Sequence, residues 1–396
     1  MSIGTAFHPR TAPLNGKLQW REWSGYFAAS AYADHHDIEY NAIREAAALI
    51  DVSPLFKYHV SGPQATALVD RVITRDARKI RDDGVIYTCW CDENGKVLDD
   101  GTVARLDDGS FRWTAAEPSL RWLRQNAGGL DVSITDITDT VAALALQGPR
   151  SRHVLEDATG ESFGDLRYFR RRKAKIADVS IDVSRTGYTG DLGYELWVEA
   201  AEALEVWDRV SAAGEAHGLR PAGMLALDVV RLEAGLILID VDFASSRHAL
   251  TPAQTYSPYE IGLGRLVNLN KGVFVGKRAL ESERDAGGPR RRLVGIEIDW
   301  EGIEALHAAQ GLPPTVPAEA WRTHVPVYSG ARQVGRATSG TWSPTLKKNI
   351  ALARVEAPYA EEGTPLKMEW TVEARRGKVA ARVAKLPFFD PPRKTA

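Results

Sequence analysis

The chain has 396 residues, 44% hydrophobic and 26% charged, the composition of a globular protein too long for one ordinary domain. A formal net charge of -2 gives no global field for nucleic acid or an anionic membrane. No apolar run is long enough to span a bilayer, and the start, Met1-Ser2-Ile3-Gly4-Thr5, lacks a signal-peptide layout; a cytoplasmic protein with no nucleic-acid or membrane partner is expected.

In chain order, apolar residues at 43, 46, 47 and 50 recur at helical spacing and predict a helical pattern over 38–55. A strand over 57–60 follows, then a helix opened by Gly62-Pro63 with Ala67, Leu68 and Val72 on its apolar face. Strands are expected at 85–91, 102–106 and 111–114. Between the first two lies Asp92-Glu93-Asn94-Gly95-Lys96-Val97-Leu98-Asp99-Asp100. It reads as a tight turn on Asn94-Gly95 leading into a strand that begins with adjacent carboxylates. Neighbouring strand residues point to opposite faces, so one of Asp99 and Asp100 is expected inward, where a carboxylate needs a task or a partner. The competing reading has one Asp capping the turn and the other solvated.

The apolar run 141–146 predicts a buried strand, and strand signals recur at 174–184 and 194–198. Helices are expected over 200–217, stopped by Gly218, and over 223–233, stopped by Gly235. Residues 1–140 and 141–280 thus read as two α+β parts. Residues 281–292, charged and broken by Gly287-Gly288-Pro289, read as a linker. Its Arg290-Arg291-Arg292 run is either a solvated charge run or a polyanion site. Short strands at 293–299, 325–328, 333–338, 366–371 and 378–385 predict a small β-barrel or sandwich over 293–396.

Cys89 and Cys91, the two cysteines, cannot complete a zinc site without further ligands nearby, and the histidines lack metal spacing. Reduced structural thiols and no metal are expected. In Thr186-Gly187-Tyr188-Thr189-Gly190-Asp191-Leu192-Gly193-Tyr194-Glu195, the glycines would let a flat ligand approach the backbone. Glu195 would accept two hydrogen bonds from an N–C–N edge, and Tyr188 would offer a ring or hydroxyl. A plain glycine-rich turn with an exposed Glu fits the residues equally well.

Taken in order, these segments resemble the glycine cleavage T-protein (aminomethyltransferase) family. The matching pieces are Ala48-Leu49-Ile50-Asp51-Val52-Ser53, the Asn94 to Asp100 hairpin, Ala145-Leu146-Gln147-Gly148-Pro149, and Gly187 to Glu195. They continue with Arg231-Leu232-Glu233-Ala234-Gly235, Ile261-Gly262-Leu263-Gly264-Arg265, Phe274-Val275-Gly276-Lys277, Val334 to Gly340, Ser343 to Ala351, and Pro387-Phe388. The resemblance implies an α+β protein of three domains packed as a clover leaf around a central folate channel. It implies transfer of a methylene or methyl group to N5 of tetrahydrofolate, the co-substrate. Asp100 would then be the catalytic carboxylate, with Asp99 beside it. Glu195 would hold the pterin, Tyr188 would belong to its site, and Arg265 would line the reaction centre. The one-carbon donor would be a small molecule or a lipoyl carrier protein.

The chain departs from the family's pattern. Leu227 stands where an arginine associated with folate binding is usual, Ala115 where an asparagine is usual, and Pro54-Leu55 where His-Met is usual. Residues 300–323 read as an insertion. These departures favour a tetrahydrofolate-dependent demethylase of an O-, N- or S-methyl donor as the alternative. A non-catalytic iron–sulfur assembly factor is disfavoured, because Lys271-Gly272-Val273-Phe274-Val275-Gly276 lacks that group's cysteine.

Overall fold

The structure, a computed structural model, describes residues 2–396. A five-stranded antiparallel sheet runs in the order Val85–Cys91, Val97–Arg105, Phe111–Ala115, Phe56–Ser61 and Ser133–Asp136. One face carries Trp90, Trp113, Tyr58 and Phe111 into a core closed by helices Ala65–Val72 and Leu120–Asn126. Leu68, Val69 and Val72 bury the first helix, while Ala67 faces out.

A six-stranded sheet runs in the order Arg171–Ile176, Val179–Ser184, Gly193–Glu199, Val141–Gln147, Ala47–Asp51 and Leu219–Pro221. Helices Ser151–Thr159 and Ala203–Gly214 cover one face, and His36–Glu45 and Met224–Glu233 pack on the other. The helical pattern expected over 38–55 therefore ends at Glu45. Ala47–Asp51 is a strand between Val141–Gln147 and Leu219–Pro221, and four of its five residues are buried. An apolar run buried on both faces carries no alternation to separate strand from helix. The stretches 1–140 and 141–280 accordingly share this sheet.

The C-terminal strands close into a six-stranded barrel, Arg291–Ile298, Lys348–Glu356, Arg332–Ser343, Val325–Ser329, Pro365–Val372 and Arg375–Ala384. The expected linker is largely structured. Glu281 to Asp285 end the helix Lys277–Asp285, and Arg291 and Arg292 open the first barrel strand. Residues 300–323 form the helix Trp300–Ala308 and a return segment tied to the barrel by the Trp321–Gly340 bridge. Helix Met224–Glu233, buried along nearly its whole length, joins the six-stranded sheet to the barrel.

Candidate functional site

The hairpin turn forms as its chemistry requires. Gly95 has φ +69, and the Asp92 carboxylate accepts the N–H groups of Asn94 and Lys96 at 2.9 Å each. Beyond it, the two carboxylates part. Asp99 goes to the tryptophan core, 1% exposed, and accepts backbone N–H groups from Ala116 at 3.0 Å, Glu117 at 2.8 Å and Asp100 at 2.8 Å. Its acceptors are thus spent on the chain's own backbone, away from the face that Asp100 occupies. Burial and the neighbouring Asp100 charge push its pKa well above the carboxylate range.

Asp100 lies on the opposite face, half-buried, and accepts the Tyr87 hydroxyl at 2.5 Å. Burial pushes its carboxyl up to about 6, against the pull of that hydrogen bond. A side chain that keeps solvent contact and is still strongly desolvated sits in a recess. Tyr87 was not singled out in the sequence. The bulge between Trp90 and Cys91 shifts the register, so Tyr87 meets Asp100 diagonally across the strands.

The Asp100 face looks toward the six-stranded sheet. Arg112, paired with Ala104 on the same face, reaches across to Asp182 at 2.6 Å and stacks 4.1 Å over the Trp197 ring. Trp197 shares its strand face with Glu195, so Glu195 is on the opposing wall. There Glu195 is half-buried, accepts the Thr186 hydroxyl at 2.5 Å and feels the charge of Arg112. Burial raises its pKa, and Thr186 and Arg112 oppose the shift.

Tyr188 donates its hydroxyl to the Ile237 carbonyl, and Asp100 and Arg231 are among the charges that reach it. Arg265 is exposed on the short 3-10 helix Gly264–Leu266; its charge is felt by Arg75 and Tyr168, and Tyr168 also feels Glu195. The structure therefore gathers Asp100, Tyr188 and Glu195 around facing sheet surfaces, puts Arg265 at the rim, and leaves Asp99 outside.

The glycine-rich loop has a different use from the one expected. A Cβ on Gly187 or Gly193 would lie 2.0 or 2.3 Å from the Gln147 side chain. These glycines make room for Gln147, whose amide donates to the Thr186 and Tyr194 carbonyls at 3.2 and 3.3 Å. Leu227 joins the apolar cluster of Trp197 and Tyr188, so a wall is apolar there. Ala115 points into the tryptophan core and does not alter the Asp100 face. At the surface, Glu117, Asp240 and His248 bring potential metal ligands within 4.8 Å of one another, a grouping that sequence spacing does not reveal.

The chain joins an α+β body with opposed carboxylates to a closed C-terminal barrel. Residues 8–271 match the GCVT N-terminal domain, and residues 291–390 match the glycine cleavage T-protein C-terminal barrel domain. The chain is 36% identical over 378 residues to the aminomethyltransferase of Moorella thermoacetica, covering 94% of each protein. It is 35% identical over 405 residues to the trimethylamine-oxide aldolase of Ruegeria pomeroyi, covering 99% of this chain but 47% of that protein, about half its length. The glycine cleavage system aminomethyltransferase T structure from Bartonella henselae matches with a TM-score of 0.82 over 98% of this chain and 99% of the other, at 22% identity, a likeness of fold. The chain belongs to the glycine cleavage T-protein family, a family of aminomethyltransferases. Among the described residues no helix is long and apolar enough to cross a membrane.

Proposed function

We propose that the chain transfers a one-carbon unit from a small donor to N5 of tetrahydrofolate. The observation that carries this reading is Asp100: a recessed, desolvated carboxylate, held by Tyr87 and facing the wall that bears Glu195. As a folate amine attacks carbon, positive charge grows on nitrogen. A fixed carboxylate in a poorly solvated recess stabilises that charge and accepts the proton released. Holding donor and folate in one recess supplies a further part of the rate. Glu195 offers the carboxylate that an N–C–N edge requires.

An N-methyl donor is the second reading: Leu227 stands where the family usually has an arginine, and the wall is apolar there. The likeness to a protein named trimethylamine-oxide aldolase points the same way. The test is incubation with tetrahydrofolate and methylated amines or a charged lipoyl carrier protein, followed by product analysis. A 5-methyl or 5,10-methylene folate that forms with wild-type protein and falls at least a hundredfold with Asp100→Asn supports the reading. Equal product from both proteins removes Asp100 from the chemistry.

A further inference from the structure

Away from the recess, on the outer face of the barrel, Arg336 and Arg354 are direct cross-strand partners. Like charges placed opposite each other on neighbouring strands repel. Arg354 is 3% exposed and lies 4.1 Å over the Tyr256 ring, while Arg336 donates to the Tyr256 hydroxyl at 3.2 Å. Among the described residues, neither guanidinium has a carboxylate within 4 Å, and the buried Nε of each lacks an acceptor. Glu356, further along the strand, is bound by Arg332 at 2.7 Å. Glu260 is the acid whose charge reaches Arg354, but its Oε2 accepts the Ser257 N–H at 3.0 Å. Arg291, from the basic run of the sequence, adds its charge nearby.

A buried cation with no counterion is costly and calls for an anion from outside. We propose that Arg336 and Arg354, with Arg291 at the edge, form a binding site for a phosphate-bearing ligand on the outer face of the barrel. Two guanidinium forks supply the charge and the paired donors that a phosphate dianion takes. Tyr256 holds both arginines and also accepts the Val97 N–H at 2.8 Å through its carbonyl. Val97 opens the strand that carries Asp100, so the site touches the catalytic strand through one residue.

The probe is inorganic phosphate, titrated against the full chain at constant ionic strength with chloride as the balancing anion. Wild-type protein is expected to gain roughly 2–4 °C in melting temperature, saturably. Arg354→Met and Arg336→Gln are each expected to lose that gain, and Arg354→Met to melt higher than wild type without phosphate. Succinate at equal concentration is expected to give less than a third of the shift. No saturable gain in wild type, an equal gain in either variant, or an equal gain with succinate would overturn the assignment.

Discussion

Asp99 and Asp100 are chemically identical neighbours with opposite uses, and the difference lies in what their oxygens meet. Three backbone amides occupy Asp99, so Asp99→Ala is expected to cost about 2–4 kcal/mol by orphaning buried donors, read as a lower urea midpoint. Asp100 has one hydroxyl partner, and burial pushes its carboxyl up from 3.8 to about 6. A carboxyl raised by folding binds its proton more tightly when folded, so it lowers stability as pH climbs through that window. Asp100→Asn is therefore expected to stabilise the ligand-free protein at pH 7 by of order 2 kcal/mol while reducing turnover. The role proposed for Asp100 needs its ionised form, so kcat/KM is expected to rise with pH through about 6 in the wild type. A flat profile between pH 5 and 7, or a less stable Asn variant, contradicts this role. Across the recess, Glu195→Ala is expected to weaken tetrahydrofolate binding by about 1.5–3 kcal/mol in calorimetry, with little change in fold. Unaltered affinity would separate Glu195 from the pterin.

At the scale of elements, close backbone approach decides what a glycine is worth. A Cβ on Gly101 would lie 2.0 Å from the Thr114 carbonyl oxygen of the paired strand, whereas a Cβ on Gly109 meets nothing within 4 Å and only the backbone, at φ +81, resists it. Gly101→Ala is expected to cost about 3 kcal/mol by forcing the strand that carries Asp100 away from Phe111–Ala115. Gly109→Ala should cost about 1 kcal/mol. Equal urea midpoints for the two variants would show that the sheet yields at Gly101. The same contrast marks what the sequence made legible. The Asn94-Gly95 hairpin is local turn chemistry, and its signal survives in one dimension. The strand Ala47–Asp51 takes its identity from neighbours at 141–147 and 219–221, which no local window contains. The strand Lys348–Glu356 was likewise missed, since nearly all its residues are buried and alternation is lost. Motif order points to Asp100, Glu195 and Tyr188 as candidates for the site. It does not point to Tyr87 and Arg112, because their places depend on a bulge and on two sheets meeting.

For the whole molecule, two buried carboxylates, Glu233 at the end of helix Met224–Glu233 and Asp242 in the segment after it, attach the sheets to the barrel. Asp242 accepts Arg231 of the helix at 2.6 Å and the Thr338 and Ser339 hydroxyls of the barrel at 2.5 and 2.6 Å. Glu233 itself is wholly buried and binds the Arg44 guanidinium at 2.6 and 2.8 Å, the Tyr40 hydroxyl at 2.6 Å and the Ser343 hydroxyl of the barrel at 2.5 Å. Its backbone carbonyl also takes the Phe389 N–H at 2.8 Å, fixing the C-terminal segment. Removing one partner of a buried pair leaves the other charge unpaired, a larger loss than the pair's net worth. With Glu233 truncated, Arg44 keeps only Asp191, at 3.4 Å, as an acidic partner among the described residues. Glu233→Ala is expected to cost about 3–5 kcal/mol and Glu233→Gln less, since the amide still accepts from the hydroxyls. Loss of the attachment should also divide unfolding, the barrel and the sheet body melting apart where the wild type melts once. Calorimetry of both variants measures this. A single transition at the wild-type temperature for Glu233→Ala would mean that apolar packing along the helix, and not its buried carboxylate, binds the barrel to the rest.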